Sequence, residues 1–598
     1  MSARPVSVLP PPAGRPRRPG RWRRVTAVGV VALVVLVGLW ARGLATFYTD
    51  YLWFRSLNFG SVWTTLLGTK AALAAVFSAG LFTLVWVNLV LADRRGRRLD
   101  PHGPGDDIAA RYRAALATKL RWIRIGGAAA LGLIGGIGMA GHWHEWILLR
   151  HHVAFGVADP QFGTDAGFYV FRLPFLEVAV DWLFAALIVS VAVTVAAYYV
   201  NGAIQLQPPF RRLAPGATTH LSILLGLAAL VRLADYQLQR RALLVSADGV
   251  VDGATYTDVH ARFPALELLS LMAIVAAGLF FVNVARRGWL LPAIAVSLWG
   301  ALSVILGGVY PAVIQRLRVE PAESSKERPY IERNITATRA AMGLADVAVK
   351  PFDYTDDLTL ADLTENEETV RNVRLWDPAI LQRTYQRLQE IRGFYQFNDV
   401  DVDRYHLDGR LTQVVLSARE LNDEGLPSQS WENRHLAYTH GYGAVLSPAN
   451  AVTAAGQPDF LVKDVPPQGS PEITQPAIYH GERLPGHAIV RSARPEIDYP
   501  KAEGELATRS YTGDGGVGIG SPLRRLAFAL RLGNVNPLIS GLITPESKVL
   551  YLRDIRTRVE TAAPFLAYDH DPYPVIIDGR IVWIQDAYTT TARYPYAQ

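Results

Sequence analysis

Leu266 to Val313 reads LELLSLMAIVAAGLFFVNVARRGWLLPAIAVSLWGALSVILGGVYPAV. Two apolar runs, Leu266 to Val284 and Trp289 to Val313, are separated only by a tight turn that carries Arg286 and Arg287. An apolar run of about 20 residues is the length of helix that crosses a bilayer. Hydropathy gives five more such runs upstream: Val25 to Ala45, Ala71 to Leu91, Ile123 to Leu149, Trp182 to Val200 and a weaker one from Thr219 to Leu238. None follows Val313. The expected fold is therefore a bundle of seven transmembrane helices followed by a separate soluble part. The boundaries expected are a basic cytoplasmic N-terminus over 1–24, the transmembrane domain over 25–313 and a soluble domain over 314–598.

Charge divides the chain at the same place. From Ile314 to Gln598 there are 31 Lys/Arg against 38 Asp/Glu, a balance of −7, while the whole chain is at +7, which leaves +14 for the first half. The high pI is thus no nucleic-acid signature, because the basic excess flanks apolar runs and the soluble half is acidic. Lys and Arg in short connections are retained in the cytoplasm. The N-terminus, Ala92–Trp122, Asn201–Thr218 and the Arg286–Arg287 turn together hold 19 of them, against 7 in the alternate connections Arg42–Ser61, Arg150–Phe175 and Gln239–Ala265. That bias places the N-terminus inside and, with an odd number of spans, the acidic half outside. Arg15 to Arg24 leading into Val25–Trp40 has the charged and apolar parts of a signal peptide, but more spans follow, so it reads as an uncleaved first anchor. The absence of cysteine excludes disulfides, zinc-thiolate sites, iron–sulfur clusters and thiol nucleophiles.

Two of the outward connections are aromatic. Phe47, Tyr48, Tyr51, Trp53 and Phe54 form one set, and Trp143, Trp146, Phe155, Phe162, Phe168, Tyr169 and Phe171 form the other. Such rings anchor a helix at the interface; the alternative is a docking floor for the outer domain or for lipid. In the soluble half Asp377-Pro378 is a helix start, leading Leu381, Tyr385, Leu388 and Ile391 at helical spacing up to Gly393. Val400–Ala418 and Pro574–Ala587 each place Asp-Gly between β-rich runs and predict hairpins. Gln457–Pro476 and Gly504–Pro522, rich in Pro and Gly, predict long surface loops. The soluble part is expected to be α+β.

Ionisable residues inside spans are functional candidates because hydrocarbon penalises them. Only Arg232 and Asp235 sit well inside a span, three residues apart on one helix face. They are either an internal pair, two wet residues beyond a helix that ends near Val231, or a polar site opening to the outer leaflet. No carboxylate, His or Lys occupies the middle of another span, which disfavours ion-coupled transport. His142, His144, Glu145, His151 and His152 are dense enough to consider a divalent metal, but lack the His-Glu-x-x-His spacing of a zinc protease. Asn398 to Asp403 alternates Asp with Val; Arg404 and Arg410 stand where a calcium loop needs Gly and Glu, so the run reads as the polar face of a strand. Asp569, Asp571 and Asp586 form the densest carboxylate group of the soluble part, a candidate for acid/base work or metal. The glycine run Gly513 to Gly520 lacks the Lys-Ser/Thr of a phosphate loop, and no Gly-x-Ser-x-Gly elbow is present.

Several motifs are specific. Glu327-Arg328-Pro329-Tyr330-Ile331-Glu332-Arg333-Asn334-Ile335, Trp431-Glu432-Asn433, Tyr438-Thr439-His440-Gly441-Tyr442-Gly443, Ala563-Pro564-Phe565-Leu566-Ala567-Tyr568-Asp569 and Trp583-Ile584-Gln585-Asp586-Ala587-Tyr588-Thr589 resemble uncharacterised protein family 0182. The family comprises bacterial multi-pass membrane proteins. The resemblance spans nearly the whole chain and implies seven spans followed by a large extracytoplasmic region, with no established activity and no catalytic residues to transfer. It also implies several hundred further residues beyond Gln598, so the chain is expected to lack the family's C-terminal part, through truncation or a split or shortened gene. The expected function is a non-enzymatic cell-envelope anchor, scaffold or binding protein in the cell membrane; the alternative is a membrane-embedded enzyme or transporter acting on lipid or lipid-linked substrates. No cofactor is expected. The expected partners are the lipid bilayer, envelope lipids and other membrane proteins, and not nucleic acid.

Overall fold

Helices follow the apolar runs: α1 (Arg21–Ser56), α2 (Gly60–Arg95), α3 (Arg121–Arg150), α4 (Phe168–Val200), α5 (Pro215–Val245), α6 (Asp258–Arg286) and α7 (Leu290–Ala341). The computed structural model describes residues 21–95, 120–205, 212–247, 249–390, 393–501 and 505–597, with the side chains of α1 described at Gly38 and from Trp40 onward. Among these residues six helices, α2 to α7, are long and apolar enough to cross a membrane. They include α5, the weakest of the predicted spans. The first predicted span falls on α1, and much of its apolar run lies outside the described side chains, as do residues 1–20 and 96–119 of the basic set.

The chain forms two compact units, one of Thr64–Tyr354 with Thr589–Gln598, the other of Met1–Trp63 with Thr355–Tyr588. In the first, close packing rests on missing side chains. Gly132 and Gly136 on α3 are four residues apart, the spacing that lets two membrane helices approach backbone to backbone. A Cβ on Gly132 would lie 2.8 Å from the Ser78 carbonyl oxygen of α2, and one on Gly136 would lie 2.6 Å from that of Ala74. Polar side chains join the helices elsewhere: His220 bridges Asn88 (2.7 Å) and Tyr198 (3.0 Å), and Asn283 donates to Ser222 (2.8 Å). α7 runs on past its apolar part, with π-type turns at Ile305–Val309 and Gln315–Val319 and Pro329 inside it.

The second unit carries the sheets. β1 (Tyr395–Phe397), β2 (Asp401–Leu407), β3 (Arg410–Leu421), β4 (Ala444–Pro448), β5 (Val462–Lys463) and β6 (Gln468–Gly469) form one antiparallel sheet of order β1-β3-β4-β5-β6, with β2 also on β3. α8 (Pro378–Gln389) starts where Asp377 accepts the Ala379 N–H at 2.9 Å, and buries Leu381 and Tyr385 against β3 and β4. β7 (His487–Val490), β8 (Val517–Gly518) and β9 (Lys548–Tyr551) make a second sheet of order β7-β9-β8, with α9 (Pro522–Leu532) against it. Both predicted hairpins form. The β2–β3 turn has Asp408 and Gly409 at φ 50° and 75°, and the turn between β10 (Tyr573–Ile577) and β11 (Arg580–Ile584) has Asp578 and Gly579 at 49° and 73°. Two positive φ values in succession are what a two-residue type I′ turn requires.

Three expectations need correction. Gln457–Pro476 and Gly504–Pro522 are not plain loops, since they contribute β5, β6, β8 and the strand Leu506–Arg509 that pairs with Glu496–Pro500. β2 forms, but its carboxylate face is the half-buried one and Val402 is 39% exposed. Arg42–Ser61 is helix as far as Ser56, and at Trp53 and Phe54 the packing follows the docking-floor alternative and not interfacial anchoring. Trp53 and Phe54 lie in a core with Ile489, Val517, Phe528 and Tyr551. Arg531 of α9 donates to Asp50 (2.5 Å) and Thr49 (2.9 Å), and the Tyr551 hydroxyl donates to the Thr49 carbonyl (2.7 Å).

Candidate functional site

A cavity of about 760 Å³ lies among α5, α6 and α7. Its apolar wall includes Leu266, Leu269, Val296 and Leu306, and its polar lining comes from Arg232, Arg262, Tyr236, Gln239, Ser246 and Ser303. Among the described residues no carboxylate lines it. The α5 helix does not end near Val231; it continues through Arg232 and Asp235, which form an ion pair at 2.5 Å. Asp235 also accepts from Gln239 at 2.7 Å, and Arg262 pairs with Asp258 at 2.9 Å. Guanidinium and amide donors above an apolar wall suit an amphiphile, and the volume is that of ordinary ligand sites.

The histidine group lies around the end of α3. His142 approaches Glu145 at 3.4 Å, His152 contacts the Leu149 carbonyl at 3.0 Å and the Arg172 guanidinium, and His144 sits edge-on to Trp143. Among the described residues no group of three or more His, Asp or Glu is arranged to hold a metal ion.

In the sheet unit the fold assembles carboxylates that are far apart in sequence. Asp399 and Asp401 at the start of β2, Glu420 on β3, Glu482 and Asp571 influence one another electrostatically. Burial, then Asp399 and Asp569, raise the Asp571 carboxyl above its ordinary value, and the Asp569 N–H donates to the Asp586 carbonyl at 3.1 Å. Glu420 is buried and accepts the Glu482 N–H at 3.1 Å. Burial, then Asp399 and Asp571, push Asp401 up to about 7; burial, then Glu420 and Asp401, push Glu482 up to about 9. An acid that holds its proton more tightly when folded loses stability as pH rises from its unfolded value near 4.5 towards its folded value. Glu482→Gln, which keeps the shape of the protonated acid, is therefore expected to stabilise the sheet unit by about 1–3 kcal/mol at pH 8.5 and by little at pH 4.5. Thermal unfolding of variant and wild type across that range checks this, and a gain independent of pH would refute it.

Thr439, His440 and Asp498 form a hydrogen-bond chain of 2.8 and 2.9 Å, the order of a nucleophile, a base and its orienting acid. Thr439 is fully buried, however, and its hydroxyl donates to Glu496 at 2.5 Å, which also accepts from Tyr479 at 2.9 Å. The chain is a satisfied core network. The other motifs are also structural in their contacts: Glu327 accepts the Tyr256 N–H at 3.0 Å, Arg333 and Asn334 hold Tyr596 at 3.1 and 2.7 Å, and Glu432 and Asn433 bind Arg494 at 2.7 and 2.8 Å.

The model of the uncharacterised protein family UPF0182 matches residues 26–598. The chain belongs to this family. Among UPF0182 relatives it is similar to a protein of Frankia alni, 42% identical over 559 residues, covering 92% of this chain and 54% of the relative. A Streptomyces coelicolor protein is 38% identical over 593 residues (98% and 59%), and one from Cupriavidus necator is 41% identical over 597 (98% and 64%). This UPF0182 chain thus spans less than two thirds of the length of these curated relatives. No solved structure matches it.

Proposed function

We propose that this UPF0182 chain is a cell-envelope membrane protein whose helices anchor it and whose sheet unit faces outward as a binding or scaffolding body. One observation supports this most: the end of α1, at Trp53 and Phe54, is part of the sheet unit's own core. If α1 crosses the bilayer from an Arg-rich cytoplasmic end, the sheet unit must be on the far side. Reporter fusions at Arg98 and Ala345 are expected to report opposite sides, with Ala345 outside; both on one side would defeat the reading.

The cavity among α5, α6 and α7 favours a second reading, in which the helices take up a lipid or lipid-linked molecule. Native mass spectrometry of the detergent-extracted chain should then show retained lipid that Arg232→Ala with Arg262→Ala releases. A wild-type chain that carries none would remove this reading's support.

A further inference from the structure

A second, smaller cavity of about 100 Å³ lies in the sheet unit, lined by residues that include Asp423, Arg434, His435, Gly486, His487 and Arg553. The charged side chains that line it are Asp423, Arg434 and Arg553. Arg434 holds Asp423 through both Nε (3.1 Å) and Nη2, which neutralises that pair. Arg553 is only 3% exposed, yet makes no ion pair among the described residues; its Nε and Nη2 donate to the backbone carbonyls of Tyr479 (2.9 Å) and Thr439 (2.5 Å). Asp423, Glu420 and Glu496 act on it electrostatically but are held by other partners, and a buried guanidinium without a direct ion pair is costly unless an anion accompanies it.

The second observation is an unpartnered donor. His487 is 9% exposed, and its Nε2 is buried with no hydrogen-bond partner. The ring is held in place by stacking on His435, with centroids 4.0 Å apart and planes 8° from parallel, while His435 Nδ1–H donates to the His487 carbonyl at 2.9 Å. A neutral histidine presents one N–H and one lone pair. Native buried polar atoms are nearly always satisfied, so an unpartnered nitrogen on a residue that lines the cavity, beside an arginine with no direct ion pair, points to a missing acceptor. A cation would meet Arg553 and is disfavoured. The space holds several waters and also admits a small oxyanion.

The geometry points to an oxyanion site between β7 and Arg553, which takes a small phosphate- or carboxylate-type group that accepts from His487 Nε2–H and from Arg553. Such a group is either a free ion or the terminal group of a larger molecule.

The full chain in detergent should be titrated calorimetrically with inorganic phosphate, glycerol phosphate and acetate at constant ionic strength. Saturable binding by the wild type is expected. His487→Phe keeps the stack and removes the donor, so it should weaken binding at least about tenfold, the effect of losing one charge-assisted hydrogen bond; His487→Gln, which restores an N–H, should recover most of it. Phosphate binding as well as glycerol phosphate identifies a free ion, and a preference for the ester identifies a terminal group. No saturable binding by wild type, leaving ordered water as the occupant, overturns the proposal, as does binding that His487→Phe leaves unchanged. The wild-type titration decides the matter even if a variant fails to fold.

Discussion

Trp53→Ala is expected to destabilise the sheet unit by about 3–5 kcal/mol, the range for truncating a buried tryptophan. Trp53 is 2% exposed, with Tyr551 6.4 Å from it by ring centroids and the Arg558 guanidinium 5.6 Å over its face. Truncation opens a void where α1 meets the second sheet, and the neighbours there are strands and a capped helix that cannot collapse into it. Trp40 provides the control, because it lies on the same helix and is 64% exposed, so Trp40→Ala should leave the unit's melting unchanged. The measurement is thermal unfolding in detergent, followed by the protease resistance of the sheet unit. If Trp53→Ala melts within about 1 kcal/mol of wild type, the end of α1 is not part of that core.

Gly136→Val is expected to prevent the helical unit from packing natively. Overpacking a core costs roughly 1–3 kcal/mol when side chains can move aside. Here the obstacle is backbone, because the new Cβ would meet the Ala74 carbonyl and the backbone and hydroxyl of Ser78, so the effect should exceed that range. A Cβ on Gly126 of the same helix would have nothing within 4 Å, and Gly126→Ala should be neutral or slightly stabilising. The yield of monodisperse protein and its melting temperature read out both changes. Equal behaviour of the two variants would show that α2 and α3 do not touch along the Gly132–Gly136 face.

What could be read from sequence was what local chemistry determines. Long apolar runs marked α2 to α7, Asp377-Pro378 marked the start of α8, and the two Asp-Gly pairs marked their turns, because each signal lies within a few residues of the structure it produces. What escaped depends on partners distant in the chain. Aromatic residues at the end of α1 look the same whether they meet headgroups or a protein core, and only the arrival of Phe528 and Tyr551 decides between them. β2 was legible as a strand, but which of its faces turns inward is set by the distant residues Ile576 and Ile581, against whose core Tyr405 and Leu407 pack. Two-residue strands such as β5 and β8 leave no periodicity to detect. Arg232 and Asp235 were legible as a pair, whereas the cavity beside them required α6 and α7. Arg553 and His487 carried no motif at all.

The outward orientation of the sheet unit is tested most directly by cysteine labelling, since the chain contains no cysteine of its own. Ala455 is exposed in a loop of the sheet unit, and Arg98 follows α2 in the sequence. With single Ala455→Cys and Arg98→Cys variants in spheroplasts, a membrane-impermeant maleimide should label Cys at the first position at once and at the second only after the membrane is permeabilised. The reverse pattern would place the sheet unit in the cytoplasm and contradict the proposed function.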